Sequence, residues 1–361
     1  MSPELHARAL HLITRLSGGT QDERARDALL CDLLRAQSSS VAPYAKLCRH
    51  RGIQEHAATH PDQWPALPTD VFRFARVASH SAEQDIVTFQ TSGTTVGTRG
   101  QHALSSLTLY DAAAHNFAKH ALFPDLSKLR LIIVAPSSTE APDSSLSYML
   151  SRFVDWFGDH ESLLVFRDGQ LDLNTLTRAL DGACRVQQPV ALLGTSFAFV
   201  HAEDQLGSTR FALPQGSRLM QTGGFKGKSR EVEPDALRLA LSERYGVPQS
   251  HVVSEYGMTE LCSQMYEATL LDALRARADR PRRLIAPGWV RVTAVDPETL
   301  APVARGDVGI ARIDDVANFG SVCAIQTSDR IQLVDDGFVL LGRAPGSVPR
   351  GCSLAIEEAL G

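Results

Sequence analysis

The amino-acid sequence predicts an α/β protein, with mostly parallel sheets flanked by helices and a smaller C-terminal portion rich in β structure. Between about residues 129 and 254, continuous apolar segments of strand length alternate with amphipathic helical segments, a pattern typical of strands buried on both faces. After about residue 285, short strand-like segments are divided by turns such as Asp335-Asp336-Gly337, which favours antiparallel strands.

The predicted chain has three parts in order: a helical lead-in at 1–69, an α/β core at 70–285 and a β-rich portion at 286–361. Leu, Ala and Ile recur at helical spacing in three segments of the lead-in, at 3–16, 22–36 and 41–51. We interpret these helices as packing surface rather than as a site.

The core contains apolar segments predicted to be strands, at 86–89, 129–135, 163–166, 190–193, 218–221 and 251–254. Segments with helical spacing lie between them, at 107–122, 144–157, 173–184, 234–245 and in a stretch that ends near 203. Small or hydroxylated residues follow four of the strands, at 91–97, 136–138, 194–196 and 222–224. Because ligands of parallel sheets bind beyond the carboxyl ends of the strands, these four positions together predict a binding site.

Composition and charge place the chain among globular proteins. Apolar residues make up 43% of the 361 residues and charged residues 21%. The formal charge is −5 with both signs scattered, so nothing indicates a nucleic-acid or membrane surface. No apolar segment is long enough to span a bilayer, and no signal peptide is visible. Six cysteines occur singly, which predicts neither a disulfide framework nor a zinc site and favours a reduced, cytoplasmic setting.

The segment after the first core strand is the strongest candidate for a phosphate site. It reads Gln90-Thr91-Ser92-Gly93-Thr94-Thr95-Val96-Gly97-Thr98-Arg99-Gly100 and precedes a predicted helix. Glycines let the backbone approach an anion, to whose oxygens the hydroxyls and amides donate. The segment is not a Walker loop, because Gly-x-x-x-x-Gly-Lys-Ser/Thr is absent. On its own, such a segment is more often a solvated loop, so the interpretation depends on motifs further along.

A second candidate is the segment Ser254-Glu255-Tyr256-Gly257-Met258-Thr259-Glu260. Gly257 allows a backbone turn that brings together a ring able to stack on a base, a hydroxyl able to bind phosphate and a carboxylate. Carboxylate oxygen is a ligand that Mg²⁺ prefers. The alternative is a capped turn with a surface glutamate.

A third candidate lies in the β-rich portion, where Thr327-Ser328-Asp329 is followed by Gly342-Arg343. An aspartate at the end of a strand can accept hydrogen bonds from two ribose hydroxyls, and an arginine suits phosphate or carboxylate. An ordinary β-turn aspartate beside an exposed arginine is the alternative.

The order of these motifs resembles that of the acyl-adenylate-forming superfamily, which includes acyl-CoA ligases, peptide-synthetase adenylation domains and firefly-type luciferases. The resemblance covers about residues 70–343 and implies that the protein uses ATP and Mg²⁺. The implied nucleotide and metal contacts are Thr91, Ser92, Gly93, Thr94 and Thr95 on the phosphates, Gly223 and Gly224 beside the adenine, Tyr256 and Gly257 at the stacking position, Thr259 on the α-phosphate, Glu260 on Mg²⁺ and Asp329 on the ribose.

Two features depart from that superfamily. Arg99 stands where the phosphate segment usually has a lysine. The superfamily also adds a mobile C-terminal domain with a catalytic lysine, whereas only 18 residues follow Arg343 here, so we expect that domain to be absent.

A narrower resemblance accounts for the short chain. The segments 142–146, 221–227 and 342–358 are similar to those of LuxE-type acyl-protein synthetases. Members of that family form an acyl adenylate, load the acyl group onto their own near-terminal cysteine and pass it to a reductase. The resemblance implies that Cys352 is the nucleophile. We expect it in a flexible tail, with Arg343 and Arg350 favouring its thiolate.

Three functions stay open from the sequence. The first is ATP-dependent activation of a carboxylic acid, with a fatty acid as the expected substrate, and transfer through Cys352 to an acyl-accepting protein such as a reductase or carrier. The segments 144–149 and 194–201 are predicted to line the acyl pocket. The second is an aryl- or acyl-CoA ligase of the phenylacetate type, for which Cys352 is incidental. The third is a catalytically silent subunit that binds acyl chains or nucleotide. Cys262 is a minor rival as nucleophile, and Cys31, Cys184 and Cys323 are expected to be inert.

Overall fold

The structure, a computed structural model, describes residues 1–91, 98–223, 232–277, 279–343 and 350–360. The helices within these ranges are α1 (Pro3–Arg15), α2 (Glu23–Ser40), α3 (Ala42–His50), α4 (Val71–Phe74), α5 (Thr108–Ala121), α6 (Ser145–Phe157), α7 (Leu173–Val186), α8 (Ser196–Leu206), α9 (Pro234–Tyr245), α10 (Thr269–Leu274) and α11 (Arg350–Leu360). Short 3₁₀ turns lie at Pro61–Gln63, Ala82–Gln84 and Gln249–His251.

The strands in the same ranges are β1 (Leu67–Pro68), β2 (Val87–Gln90), β3 (Gln101–Leu104), β4 (Arg130–Val134), β5 (Leu163–Leu164), β6 (Phe166–Arg167), β7 (Gln170–Leu171), β8 (Val190–Thr195), β9 (Arg218–Thr222), β10 (Val252–Tyr256), β11 (Met265–Glu267), β12 (Leu284–Ile285), β13 (Val290–Val295), β14 (Val308–Asp315), β15 (Ala324–Val334) and β16 (Gly337–Arg343). Among the described residues, no helix combines the length and apolar character that a membrane crossing requires.

The chain forms two compact units. The terminal unit contains Met1–Phe117, Met258–Met265 and Arg283–Gly361, and the middle unit contains Ala118–Gly257 and Tyr266–Arg282. The Ser254–Glu260 motif is therefore shared, with its first four residues in the middle unit and its last three in the terminal unit. The three-part division expected from the sequence stays a prediction.

The middle unit is built on a parallel sheet in the order β10-β9-β8-β4-β5. Val252 pairs with Leu219, Leu219 with Leu192, and Leu192 with Ile132, so one row of fully buried aliphatic side chains crosses the sheet. Helices α6 and α7 begin where Ser144 and Asp172 accept hydrogen bonds from backbone amides of their first turns. The predicted class, a mostly parallel sheet flanked by helices, is confirmed.

The terminal unit carries antiparallel strands in the order β13-β14-β15-β16-β12, with β1 added parallel to β15. This confirms the predicted β-rich C-terminal portion. Helix α11 packs in the same unit, where Arg51 Nε lies 2.5 Å from Glu358 Oε2 and Lys46 Nζ donates to the carbonyl of Leu360 at 3.0 Å.

One local prediction needs correction. The Ser/Thr/Gly-rich segment was expected to run from a strand into a helix, but a second strand, β3, follows it and pairs antiparallel with β2 from Val87↔Leu104 to Gln90↔Gln101. Helix α5 begins only after β3. The segment therefore connects the two strands of a hairpin, which fixes both of its ends.

Candidate active site

The ends of the phosphate segment are held together by the β2–β3 hairpin. The amide of Thr91 donates to the carbonyl of Gly100 at 2.9 Å, and the amide of Gly100 donates to Thr91 Oγ1 at 2.9 Å. A Cβ atom at Gly100 would lie 3.0 Å from Thr91 Cγ2, so any larger residue there would have to displace the Thr91 side chain by a few tenths of an ångström. The predicted phosphate contacts Ser92, Gly93, Thr94 and Thr95 lie outside the described residues.

Arg99 lies at the base of this segment. Its Nε donates to the carbonyl of Thr91 at 2.7 Å, and one terminal nitrogen lies 3.4 Å from the carbonyl of Gln90. These contacts hold the guanidinium beside the point where the segment leaves β2. A cation is therefore available where the sequence predicted one in place of lysine.

The Thr259-Glu260 pair contacts the same hairpin within the terminal unit. Thr259 Oγ1 lies 3.4 Å from the carbonyl of Gln90, and the Nδ1 of His102, a residue of β3, lies 2.8 Å from the carbonyl of Thr259. Glu260 is 8% exposed, and its carbonyl accepts a hydrogen bond from Asn318 Nδ2 at 2.8 Å. The structure thus places Thr259, the predicted α-phosphate residue, beside the hairpin strands β2 and β3, and Glu260 follows it in the chain.

In the middle unit, the residues predicted to contact the adenine lie at the carboxyl ends of two neighbouring strands, β9 and β10. Because Glu255 of β10 pairs with Thr222 of β9, Tyr256 and Gly223 lie at the same edge of the parallel sheet. Gly223 has φ +73°, a conformation that favours glycine. Gly224 lies outside the described residues, and Gly257 ends the unit's first segment.

A buried carboxylate that the motifs did not predict lies at this edge. Thr222 Oγ1 donates a hydrogen bond to Glu255 Oε2. Burial raises the pKa of Glu255 to about 7, although the Thr222 hydrogen bond acts in the opposite direction. The sequence signal was a charged residue within the short strand Val252–Tyr256.

The predicted ribose residue Asp329 lies on β15, opposite Arg343 on β16. Arg343 Nε donates to Asp329 Oδ1 at 3.3 Å; the Arg343 side chain is 77% exposed and that of Asp329 is 13% exposed. Thr327 Oγ1 accepts from the amide of Asp329 at 3.1 Å and donates to the carbonyl of Ala311 at 2.9 Å. The threonine of the Thr-x-Asp motif therefore fixes the backbone that presents the aspartate.

The prediction that Cys352 lies in a flexible tail is wrong. Residues 350–360 form helix α11 rather than a flexible tail, and Cys352 is 2% exposed, packed against Val295 and Ile310. Burial raises the pKa of its thiol to about 11, and Asp70 adds to the effect, so this arrangement does not favour the thiolate. Cys352, Ala355 and Ala359 are all buried, and their helical spacing was the overlooked signal.

The rival nucleophile Cys262 is also buried. Its amide donates to Asn318 Oδ1 at 2.7 Å, and burial raises the pKa of its thiol well above the usual value. The segments expected to line an acyl pocket contain the start of α6 and the start of α8. A Cβ at Gly194 would lie 2.5 Å from the carbonyl of Val134, so that glycine is explained by close packing of β8 and β4. Their pocket role stays a prediction.

A family model and a curated relative both match this chain and agree on its family. The family model described as acyl-protein synthetase, LuxE, matches residues 14–361. The Long-chain-fatty-acid--luciferin-component ligase of Aliivibrio fischeri is 21% identical over 315 residues, which are 86% of this chain and 79% of that protein. These matches confirm the resemblance drawn from the motifs.

Solved structures share the fold. A 2-hydroxyisobutyryl-CoA ligase in complex with 2-HIB-AMP and CoA, in the thioesterification state, matches with a TM-score of 0.62 and 14% identity, over 92% of this chain and 68% of that one. Its open conformation gives a TM-score of 0.61 and 12% identity, over 92% and 78%. The chain spans 49% of the ATP-bound MatB of Rhodopseudomonas palustris, at 17% identity over 73% of this chain and a TM-score of 0.49.

Proposed function

Because the chain belongs to the acyl-protein synthetase family LuxE, a family of ligases, we propose that it uses ATP to activate a carboxylic acid as acyl-AMP. The acyl group is then transferred to the thiol of Cys352 and on to a protein partner, a reductase or carrier. The name of the Aliivibrio fischeri relative supports a long-chain fatty acid as the substrate. The observation that carries the proposal is the match of the LuxE family model to residues 14–361, supported by the 2.8 Å contact of the Thr259 carbonyl with His102 on β3 of the hairpin.

The chemistry divides one difficult step into two. A carboxylate oxygen attacks the α-phosphorus of ATP, the bond to pyrophosphate breaks, and a mixed anhydride with AMP forms. A thiolate then attacks the acyl carbon and AMP leaves, which gives a thioester. A nucleophile of the partner can accept the acyl group from this thioester and release the thiolate.

Both units carry residues of the predicted nucleotide motifs. In the terminal unit, Thr91 and the segment that follows it hold the phosphates, Thr259 donates to the α-phosphate and Asp329 accepts from the ribose hydroxyls. Arg343, which is exposed beside Asp329, offsets phosphate charge. In the middle unit, Gly223 and Gly224 border the adenine, and Tyr256 and Gly257 form the stacking position.

Glu260 suits a magnesium ion that arrives with ATP. Among the described residues, no group of three or more His, Cys, Asp or Glu is arranged to hold a metal. Mg²⁺ is commonly bound by one or two carboxylates together with substrate phosphates, and Glu260 follows Thr259, whose hydroxyl lies 3.4 Å from the carbonyl of Gln90. When bound, the ion neutralises developing negative charge on the phosphates. The chain's part is to fix the Glu260 backbone through Asn318.

Transfer to Cys352 requires a rearrangement of α11. The thiol is buried and protonated in the arrangement described above, whereas attack needs an accessible thiolate. The amide of Gly351 donates to the carbonyl of Pro297 at 3.1 Å, so the first turn of α11 has to leave this contact. The masking of Cys352 also favours a second candidate function, an acyl-CoA ligase in which the thiol of CoA accepts the acyl group.

The test combines pyrophosphate exchange with intact-mass measurement, using ATP, Mg²⁺ and carboxylic acids of increasing chain length, with and without added CoA. We expect acid-dependent exchange and a hydroxylamine-labile acyl adduct, which Cys352→Ala abolishes while exchange continues. Cys184→Ala, at a partly exposed cysteine of the middle unit, is the control and should keep the adduct.

Other outcomes separate the alternatives. Absence of exchange with every acid would contradict activation and leave a silent binding subunit. Exchange with formation of acyl-CoA and no protein adduct would establish the CoA ligase. An adduct that persists in Cys352→Ala would move the nucleophile elsewhere, with Cys262→Ala tested first.

A further inference from the structure

We propose that His102 and Asn318 are positioning residues, which hold the backbone carbonyls of Thr259 and Glu260 and so set the position of the hydroxyl and carboxylate in the adenylation site. The inference rests on the proposed function for what Thr259 and Glu260 bind. The contacts that carry it lie entirely within the terminal unit.

His102 is a neutral hydrogen-bond donor to Thr259. It is 1% exposed, and burial lowers its pKa to about 4, so the ring carries no charge near pH 7. Its Nδ1 lies 2.8 Å from the carbonyl of Thr259, and its Nε2 lies 2.9 Å from Ser321 Oγ. Because a carbonyl can only accept, Nδ1 carries the proton and Nε2 accepts from the serine hydroxyl. Both ring nitrogens are thereby satisfied.

Asn318 holds the residues on either side of Leu261. Its side chain is fully buried; Nδ2 donates to the carbonyl of Glu260 at 2.8 Å, and Oδ1 accepts from the amide of Cys262 at 2.7 Å. Nδ2 also lies 3.1 Å from the carbonyl of Val322. Gln37 Nε2 in turn donates to the carbonyl of Asn318 at 3.0 Å. One amide group therefore fixes two backbone positions around the predicted metal ligand.

Two consecutive carbonyls are thus held by side chains that come from different elements. Within the described residues, the hydroxyl of Thr259 makes a long contact of 3.4 Å to Gln90, which is weak, so we infer that the backbone bonds set its position. Displacement of a reacting or binding group by about 1 Å can lower a rate by about 100-fold. Loss of either donor should therefore lower the rate of adenylation by more than the accompanying loss of folding stability can explain.

A matched pair of variants tests His102. In His102→Asn the amide nitrogen reaches the place of Nδ1, so a donor to Thr259 can remain while the contact to Ser321 is lost. In His102→Gln the amide reaches the place of Nε2, so the Ser321 contact can remain while the Thr259 carbonyl loses its donor. Each removes one buried hydrogen bond, and we expect similar melting temperatures.

The readouts are the rate of pyrophosphate exchange, the KM for ATP and the Mg²⁺ concentration for half-maximal exchange. We expect His102→Gln to lower the exchange rate at least about tenfold and to raise the Mg²⁺ requirement, with His102→Asn within about threefold of wild type. Equal exchange in the two folded variants, or losses that follow melting temperature alone, would overturn the inference.

Asn318→Asp keeps the test decisive if a His102 variant does not fold. It is nearly isosteric, keeps the acceptor for the Cys262 amide and removes the donor to Glu260, so we expect the same rise in Mg²⁺ requirement. A folded Asn318→Asp protein with wild-type exchange and Mg²⁺ dependence would contradict the proposal. Ser217→Ala, which removes a buried hydroxyl that accepts from the Val190 amide at 3.1 Å in the middle unit, controls for general loss of stability.

Failure of the proposed function has a different signature. A wild-type protein without acid-dependent exchange would remove the premise before any variant is compared. An active wild type that loses exchange in Glu260→Ala but not in the His102 or Asn318 variants would keep the function and refute the positioning role.

Discussion

Replacement of Glu255 by glutamine should stabilise the protein in a pH-dependent way. The pKa of Glu255 is raised by burial to about 7, from a model-compound value of 4.5. An acid whose pKa is raised on folding binds its proton more tightly in the folded state. Stability is therefore unaffected below about pH 4.5, falls as the pH rises from there to about 7, and stays reduced above that range.

The size of the effect follows from the shift. A difference of about 2.5 pH units corresponds to about 3 kcal/mol, at 1.36 kcal/mol per unit. Glutamine keeps an oxygen that can accept from Thr222 Oγ1 but carries no charge to desolvate. Glu255→Gln should thus match wild type near pH 4.5 and exceed its free energy of unfolding by up to about 3 kcal/mol at pH 8.

Urea denaturation of both proteins between pH 4.5 and 8.5 measures this difference directly. Asp315, whose pKa burial raises to about 6, titrates in both proteins, so its contribution cancels. Thr222→Val is the control: removal of the hydrogen bond that lowers the Glu255 pKa should leave the onset near pH 4.5 and extend the loss of stability to higher pH. A difference between Glu255→Gln and wild type that stays constant with pH would refute the reasoning.

Three further predictions test separate parts of the molecule. Glu260→Ala should fold normally and abolish Mg²⁺-dependent pyrophosphate exchange, because the hard cation loses an oxygen ligand; normal exchange would remove Glu260 from the site. Asp329→Ala should weaken ATP binding by about 2–3 kcal/mol in calorimetry, with a much smaller loss for 2′-deoxy-ATP; equal losses would assign Asp329 another role. Asp125→Asn should lower the free energy of unfolding by about 2 kcal/mol, since it leaves the buried guanidinium of Arg218, now 2.8 Å from Asp125 Oδ2, without a charged partner. Glu243→Gln, at an exposed ion pair, should change it by less than about 0.5 kcal/mol.

The strands of the middle unit could be predicted because burial on both faces leaves a plain signal. The apolar segment 129–135 corresponds to β4, Arg130–Val134, and the segment 190–193 to the first residues of β8, Val190–Thr195. In each case a mostly aliphatic run, interrupted in the first segment by Arg130, is bounded by turn residues, and a strand covered by helices accommodates such a run.

The hairpin partner β3 and the helix α11 were missed for a different reason. Gln101–Leu104 contains polar and apolar residues without a long run, and its pairing with β2 is what makes it a strand. Cys352 lies in a segment rich in glycine, proline and arginine at its start, and local composition alone favoured a tail. The buried positions of α11 depend on packing against strands of the terminal unit, and the sequence of the segment alone does not reveal that packing.

The predicted site residues came from motifs, whereas their supports carry no motif. Thr91, Thr259 and Glu260 could be named from residue type and order, and the structure places the Thr259 hydroxyl 3.4 Å from the carbonyl of Gln90, the residue before Thr91. His102 and Asn318 are single polar residues separated by more than 200 positions from each other in the sequence. What distinguishes them is nearly complete burial together with hydrogen bonds to one short backbone segment, and burial of a polar group is tolerated only where its hydrogen bonds are made. The backbone of Thr259 and Glu260 therefore has its conformation set by side chains that no local pattern identifies.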